Sequence, residues 1–201
     1  MSGDRVEAAG DADALLRETQ LDSEQVYKGH FLDVRRDRIH LPDGTTSARE
    51  YIVHPGAVMI VPLLADGRLI VERQWRYPLH RAMLEFPAGK LEIGEDPLHC
   101  AVRELSEETG YTAGEWAHAG LLHNAIAYSS EGIHIWFARG LVLGERHLDA
   151  GEFLEVHSAD ADELDALAAR GEITDAKTLV GLMWLQRWRA GAWPLTWRAA
   201  G

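Results

Sequence analysis

The segment that most restricts the fold runs from Asp96 to Gly110, DPLHCAVRELSEETG. Asp followed by Pro opens a helix. The Asp side chain accepts from otherwise unpaired N–H groups of the first turn, and Pro at the first position gives up only an N–H that has no partner there. Gly110 closes the helix, because glycine takes the left-handed conformation of a C-terminal cap without a steric cost. Between these ends Leu98, Ala101, Val102, Leu105 and Thr109 recur at three- and four-residue spacings, which predicts one stripe turned toward a core. The helix is therefore short, bounded and one-sided, and the rest of the chain must supply the surface it covers.

That surface reads as β-structure. Apolar and polar residues alternate from Gln25 to Val53, with Pro42-Asp43-Gly44-Thr45 as a hairpin turn. The runs GAVMIVPLL and RLIVERQW are separated by Ala65-Asp66-Gly67, which predicts a second hairpin, and AMLEFPAGKLE continues as strand and loop. After the helix, AGLLHNAIAYSSEGIHIWFARGLVLG reads as two strands flanking a polar loop, and FLEVHSA as another strand. The segments ADELDALAARGEI and DAKTLVGLMWLQRW have helical periodicity. Strands dominate the first half and helices cluster in the middle and at the end, an α+β pattern. The expected organisation is a flexible arm over residues 1–20, a β subdomain of antiparallel strands over 21–53, and a main domain over 54–201.

The acidic helix breaks a local rule. Glu104, Glu107 and Glu108 fall within an arc of roughly 100° beside the apolar stripe, from 3.6 residues per turn. Like charges at these spacings cost about 0.2–0.5 kcal/mol each. Glutamates in the last turn also face the negative end of the helix dipole, at about 0.3–1 kcal/mol each. A solvated acidic face is one reading; a bound divalent cation is the other, and it would offset the conflict. The preceding EFPAGKLEIGE, with its proline and glycines, shapes a tight loop that can bring backbone groups against a ligand. Carboxylate and carbonyl oxygens suit Mg²⁺ or Mn²⁺, whose shells are commonly completed by phosphate and water.

Other classes are disfavoured. The ten histidines of the chain include no pair three or four apart, and Cys100 has no second cysteine, so zinc-type spacings and an intrachain disulfide are absent. A formal net charge of −12 opposes non-specific binding to nucleic acid or anionic membrane. No apolar run is long enough for a membrane span, and the N-terminus lacks the pattern of a signal peptide. The expected setting is the cytoplasm.

The stretch from Gly89 to Tyr111, GKLEIGEDPLHCAVRELSEETGY, resembles the Nudix box. Gly89, Glu95, Arg103, Glu104, Leu105, Glu107, Glu108 and Gly110 stand at the spacing of that pattern, while Tyr111 replaces the commoner aliphatic residue. The resemblance implies a Nudix hydrolase with an α/β/α sandwich and a mixed sheet, cleaving a nucleoside diphosphate linked to another group with Mg²⁺. It implies Glu104 and Glu108 as metal ligands and Glu107 in the cluster or positioning water. Arg103 would orient a glutamate of the box, and Glu95 would support the loop–helix junction.

Most of the chain from about Glu24 to Trp188 is similar to the ADP-ribose pyrophosphatase branch, through REYIVHPGAV, VERQWRYP, MLEFPAGK, SSEGIHIWFARGL, GEFLEV and DAKTLVGLMWLQRW. That similarity implies the Ala88 carbonyl and Glu152 as further metal ligands. It implies Arg49 and Arg76 as contacts to adenosine or diphosphate, and Glu85 and Glu131 in the substrate pocket. A second acid of the Glu152 loop is replaced by Ala150, so Glu152, Glu107 or Glu131 could act as base. His30-Phe31 lies where the branch offers an aromatic to the base, although core packing is the preferred reading of Phe31. NAIAYSSEG lacks the Ser-Pro-Gly turn of the branch.

The implied activity is hydrolysis of ADP-ribose, or a related nucleoside diphosphate sugar, to AMP and ribose 5-phosphate, by a homodimer that exchanges its N-terminal strands. Alternatives are GDP-mannose, NADH or a dinucleoside polyphosphate as substrate, or a non-catalytic nucleotide sensor. The tail WLQRWRAGAWPLTW is read as a packed C-terminal helix and cap, with an interface cover as the alternative.

Overall fold

The structure is a computed structural model, and it describes residues 13–148 and 150–200. Two units are distinguished, residues 13–54 with 127–130, and residues 55–126 with 131–200. The expected arm lies mostly outside the described residues.

In the first unit β1 (Thr19–Lys28), β2 (Asp33–His40) and β3 (Thr46–Val53) form an antiparallel sheet in that order. The expected turn joins β2 to β3, where Asp43 accepts hydrogen bonds from the Thr45 N–H at 2.9 Å and its hydroxyl at 2.6 Å. β1 starts six residues before the strand-like sequence run. Its TQLDSEQVYK is exposed throughout, so it has no apolar face for alternation to reveal. Arg36 pairs with Glu50 across β2 and β3, and Arg49 of β3 pairs with Glu18, just before β1. Phe31 is 53% exposed, with its ring edge-on to His54 at 5.6 Å, which overturns the core reading of that residue.

The second unit contains β4 (Ala57–Pro62), β5 (Leu69–Arg76), β6 (Arg81–Glu85), β7 (Ala88–Lys90), α1 (Pro97–Thr109), β8 (Tyr111–His123), β9 (Gly132–Leu143), β10 (Leu154–Ala159), α2 (Ala161–Ala169) and α3 (Ala176–Arg189). One sheet has the order β7-β4-β9-β8, with β4 and β9 parallel and the other pairs antiparallel. A second, antiparallel sheet has the order β10-β5-β6.

β4 explains the layering. All six residues of AVMIVP are buried. Alternation sends Ala57, Met59 and Val61 into a cluster with Phe86, Phe137, Leu164, Leu182 and Leu185, and Val58 and Ile60 into another with Leu98, Ala101, Leu105, Trp116 and Trp136. Helix α1 thus covers one face and α2 with α3 the other, giving the α/β/α sandwich with its mixed sheet. The turn at Ala65-Asp66-Gly67 forms, with the Leu64 N–H bonded to the Arg68 carbonyl at 2.9 Å. Its flanking strands pair only at Leu63–Leu69 and then enter different sheets, so the expected hairpin is a corner. No described helix is long and apolar enough to cross a membrane.

The tail folds back on its own unit. Arg198 exchanges backbone hydrogen bonds with Trp116 at 2.7 and 2.8 Å, the rings of Trp184 and Trp193 meet at 4.4 Å, and Arg139 lies over Trp197 at 4.1 Å.

Candidate active site

Helix α1 begins as its sequence dictates. The Asp96 carboxylate accepts from the Leu98 and His99 N–H groups at 2.8 and 3.3 Å, and Gly110 caps the other end at φ 75°. Leu98, Ala101, Leu105 and Thr109 are buried as expected, whereas Val102 is only half-buried. Cys100 and Glu108 are buried as well. The burial of Glu108 turns one member of the acidic arc inward, toward the loop before α1.

There the helix meets the loop. The Ala88 N–H donates to Glu108 Oε2 at 3.0 Å. The Glu104 carboxylate lies against Gly89 so closely that a Cβ on that residue would stand 1.9 Å from its Cδ. Gly89 is thus required by approach, since only a residue without a side chain leaves room for the carboxylate. Glu152, just before β10, accepts from the Gln74 amide at 3.3 Å and is near enough to Glu104 and Glu108 for its charge to push both upward in pKa.

Arg103 holds the outer acids. Its Nε and Nη2 each donate to Glu95 at 3.1 Å, and its Nη1 donates to Glu104 at 2.8 Å and Glu107 at 3.0 Å. Glu95 also accepts from the Glu92 N–H at 2.9 Å, which ties the loop to the helix. Hydrogen bonds from Arg103 hold the Glu95 carboxyl down at about 2. Glu104 is pushed up by burial, with Glu107 and Glu152 adding to it and Arg103 opposing.

On the inner side, the Arg76 guanidinium grips Glu85 through two bonds, at 2.7 and 2.8 Å, and Lys177 pairs with the same carboxylate. Asp175 accepts from Lys177 at 3.0 Å and caps α3 through the Thr178 N–H. Burial pushes Glu85 upward, but its two cations outweigh that and leave it low. Glu72 lies opposite Glu85 in the β5–β6 ladder, is fully buried, and among the described residues has no N–H or hydroxyl donor on either oxygen. Burial raises Glu72 and Glu108 well above the ordinary carboxylate range; the next cause is the Glu85 charge for the first and the Glu72 charge for the second.

The sequence-derived residues divide accordingly. Glu104 and Glu108 lie against Gly89 and Ala88, Glu152 is near enough for its charge to act on both, Glu107 pairs with Arg103 on the outer side, and Arg76 with Glu85 forms a pair on the adjoining sheet. Glu131 is half-buried immediately before β9. Arg49 belongs to the first unit, where it pairs with Glu18. Glu72, Asp175 and Lys177 were not singled out in the sequence. For Glu72 the available signal was a carboxylate after Leu69-Ile70-Val71, inside a run otherwise suited to a buried strand.

The donor set fits a hard divalent cation. All the candidate ligands are oxygens, acidic groups crowd where burial should disfavour them, and among the described residues the neighbouring buried acid Glu72 has no N–H or hydroxyl partner.

Comparison with known proteins agrees with this geometry. The NUDIX domain model matches residues 53–181, and the model for the nucleoside diphosphate sugar hydrolase N-terminal domain matches residues 18–52. The chain is 39% identical to an ADP-ribose pyrophosphatase of Bacillus subtilis, over 85% of this chain and 94% of that one. It is 35% identical to a methanol dehydrogenase activator of Bacillus methanolicus, over 86% and 94%. A crystal structure described as an ADP compounds hydrolase superposes with a TM-score of 0.79 at 26% identity, covering 88% of this chain and 96% of that one. With the acids of its Asp96–Gly110 helix gathered on a turn that only glycine permits, and with the family model spanning most of its length, this chain belongs to the Nudix hydrolases.

Proposed function

We propose that the protein hydrolyses the pyrophosphate bond of ADP-ribose or a closely related nucleoside diphosphate sugar, releasing AMP and ribose 5-phosphate. The observation that carries this reading is the approach of Glu104 and Glu108 to the Ala88-Gly89 turn, with Glu152 close enough for its charge to act on both. The names of the relatives choose the substrate class within it.

Glu104, Glu108, Glu152 and the Ala88 carbonyl would hold Mg²⁺, with Mn²⁺ as a substitute. When bound, such a cation neutralises charge on the pyrophosphate oxygens and lowers the pKa of a coordinated water. The chain's own residues do the rest. Glu85 engages Nε and Nη2 of Arg76, which fixes the guanidinium plane and leaves Nη1 as the edge for a phosphate oxygen. Lys177 keeps Glu85 ionised in a buried place, so that clamp stays charged. Arg103 restrains Glu104 and Glu107 between turnovers. The attacking water adds to one phosphorus, the bridging P–O bond breaks, and the water's proton passes to a carboxylate, for which Glu107 and Glu152 are the two candidates. The pH–rate profiles of E107Q and E152Q separate them, since only loss of the base removes the acidic limb.

Glu131 and Arg49 are proposed as substrate contacts on the resemblance of their segments. R49A then raises KM with little change in kcat. We further assign the 21–53 strands to a homodimer. Leu21, Val26, Tyr27 and Val53 are exposed apolar groups on that unit, and light scattering of the pure protein tests it. A cytoplasmic setting, with neither membrane nor nucleic acid as partner, completes the reading.

The decisive experiment is a substrate panel of ADP-ribose, GDP-mannose, NADH and a dinucleoside polyphosphate, with Mg²⁺, Mn²⁺ or chelator. ADP-ribose is expected to give the highest kcat/KM, and chelator to abolish it. A better rate on another member reassigns the substrate, and turnover in chelator rejects the cation.

A further inference from the structure

Alternation along β5 places Glu72, Gln74 and Arg76 on one face. Gln74 reaches Glu152 and Arg76 reaches Glu85, so this face forms a wall of the site. Glu72 is its innermost member, and it is the one whose purpose the hydrolytic reading leaves unexplained. Its ladder neighbours are Glu85 on β6 and Val156 on β10, and neither side chain can donate a hydrogen bond. Arg76 and Lys177 lie near, but their bonds go to Glu85. Among the described residues no N–H or hydroxyl group bonds either Glu72 oxygen, and the side chain that faces it is a second carboxyl, that of Glu108.

Two ionised carboxylates facing each other repel, so such a pair either shares a proton or holds another positive charge between its oxygens. Glu108 itself is 3% exposed, and its Oε2 accepts from the Ala88 N–H. In the metal-free protein a proton between the two carboxyls compensates the pair, and a cation can take the place of that proton. Nothing in this pairing is needed to build the strand, because Leu69, Ile70 and Val71 already fill the core positions of β5.

We propose that Glu72 and Glu108 share a divalent cation, so that Glu72 is an oxygen ligand supplied by the sheet and lying outside the acidic helix. The inference rests on the reading that Glu104 and Glu108 bind cations, and it adds a ligand which the spacing of the helix motif does not contain. A hard cation accepts such a set, two or three carboxylates with the remaining positions filled by water or phosphate. Glu72 then does two things: it fixes the inner oxygen of the site on a rigid strand, and it prevents Glu108 from turning away when substrate leaves.

Titration of the metal-free full-length protein with Mn²⁺, with free ion read by electron paramagnetic resonance, counts the tight sites. The Glu72→Gln variant is expected to lose one tight Mn²⁺, or to hold it about tenfold more weakly or worse. Its unfolding temperature without metal should meanwhile rise, because an unpaired buried charge is gone. Glu72→Val repeats the count without an amide that could hydrogen-bond Glu108. If both variants fold and bind as many Mn²⁺ as tightly as the wild type, Glu72 is no ligand and the inference is overturned, while the hydrolytic reading stands. A wild-type protein that binds no Mn²⁺ overturns both.

Discussion

The acids on the two sides of α1 are handled in opposite ways. On the outer side, Glu95, Glu104 and Glu107 converge on a single guanidinium, and the pairing is partly exposed, with Arg103 30% accessible. On the inner side, Glu72, Glu85 and Glu108 are all buried, and only Glu85 has cationic partners. Glu72 and Glu85 face each other across one ladder, yet their carboxyls shift in opposite directions. Burial raises both, so the difference comes from where Arg76 and Lys177 point. A buried acid held by two cations, as Glu85 is, stays ionised as scaffolding, whereas Glu72 and Glu108 are buried without such a partner.

The sharpest way to break this contrast is to remove an unpartnered acid. Glu108→Gln should lower kcat by at least about a thousandfold, equivalent to about 4 kcal/mol of transition-state stabilisation, while circular dichroism shows an intact fold. Near-wild-type turnover would mean that the inner acids are not the working ones. Removing a partner should do the reverse, costing stability before chemistry. Lys177→Met strips one cation from buried Glu85 and should cost about 3 kcal/mol in urea unfolding, the penalty of leaving a buried charge underpaired.

The pH dependence sharpens the contrast further. A folded-state carboxyl raised above its unfolded value, about 4.3, binds more protons when folded. The stability this gives is full at low pH and is lost as pH rises, so Glu72 and Glu108 should lower the metal-free unfolding temperature between about pH 5 and 7. His118 and His134 shift downward through burial and oppose this by making stability rise with pH. Comparing the wild type with Glu72→Gln isolates the carboxyl contribution: the variant should show the less negative slope. Saturating Mg²⁺ should raise the wild-type unfolding temperature most at the upper end of that range, and equal gains at pH 5 and 7 would contradict it. The smallest effect is expected on the outer side. Arg103→Gln removes a partly exposed fork and should cost about 1 kcal/mol or less, since solvent screens these pairs.

Much of the outer side could be read from the chain. Asp96, Pro97 and Gly110 mark the ends of α1 by local chemistry alone, and Glu95, Arg103, Glu104 and Glu107 lie within thirteen residues, so helical geometry brings them together. The inner side could not be read this way. Glu72, Glu85, Glu108 and Lys177 come from two strands and two helices spread over more than a hundred residues, and no periodicity relates them. β1 was only partly legible because an all-exposed strand carries no alternation. The turn after Leu64 was legible, but the separation of β4 and β5 into different sheets was not, since a turn fixes where the chain reverses and not which neighbour each strand then takes.

By itself, then, the sequence determined the bounded acidic helix, the glycine-bearing turn before it and the family those spacings define. Tertiary structure decided which acids are paired and which are left open. Local rules set the conformation of a segment within a turn or two, whereas the charge state of Glu72 or Glu108 depends on burial and on cations delivered by strands and helices distant in the chain.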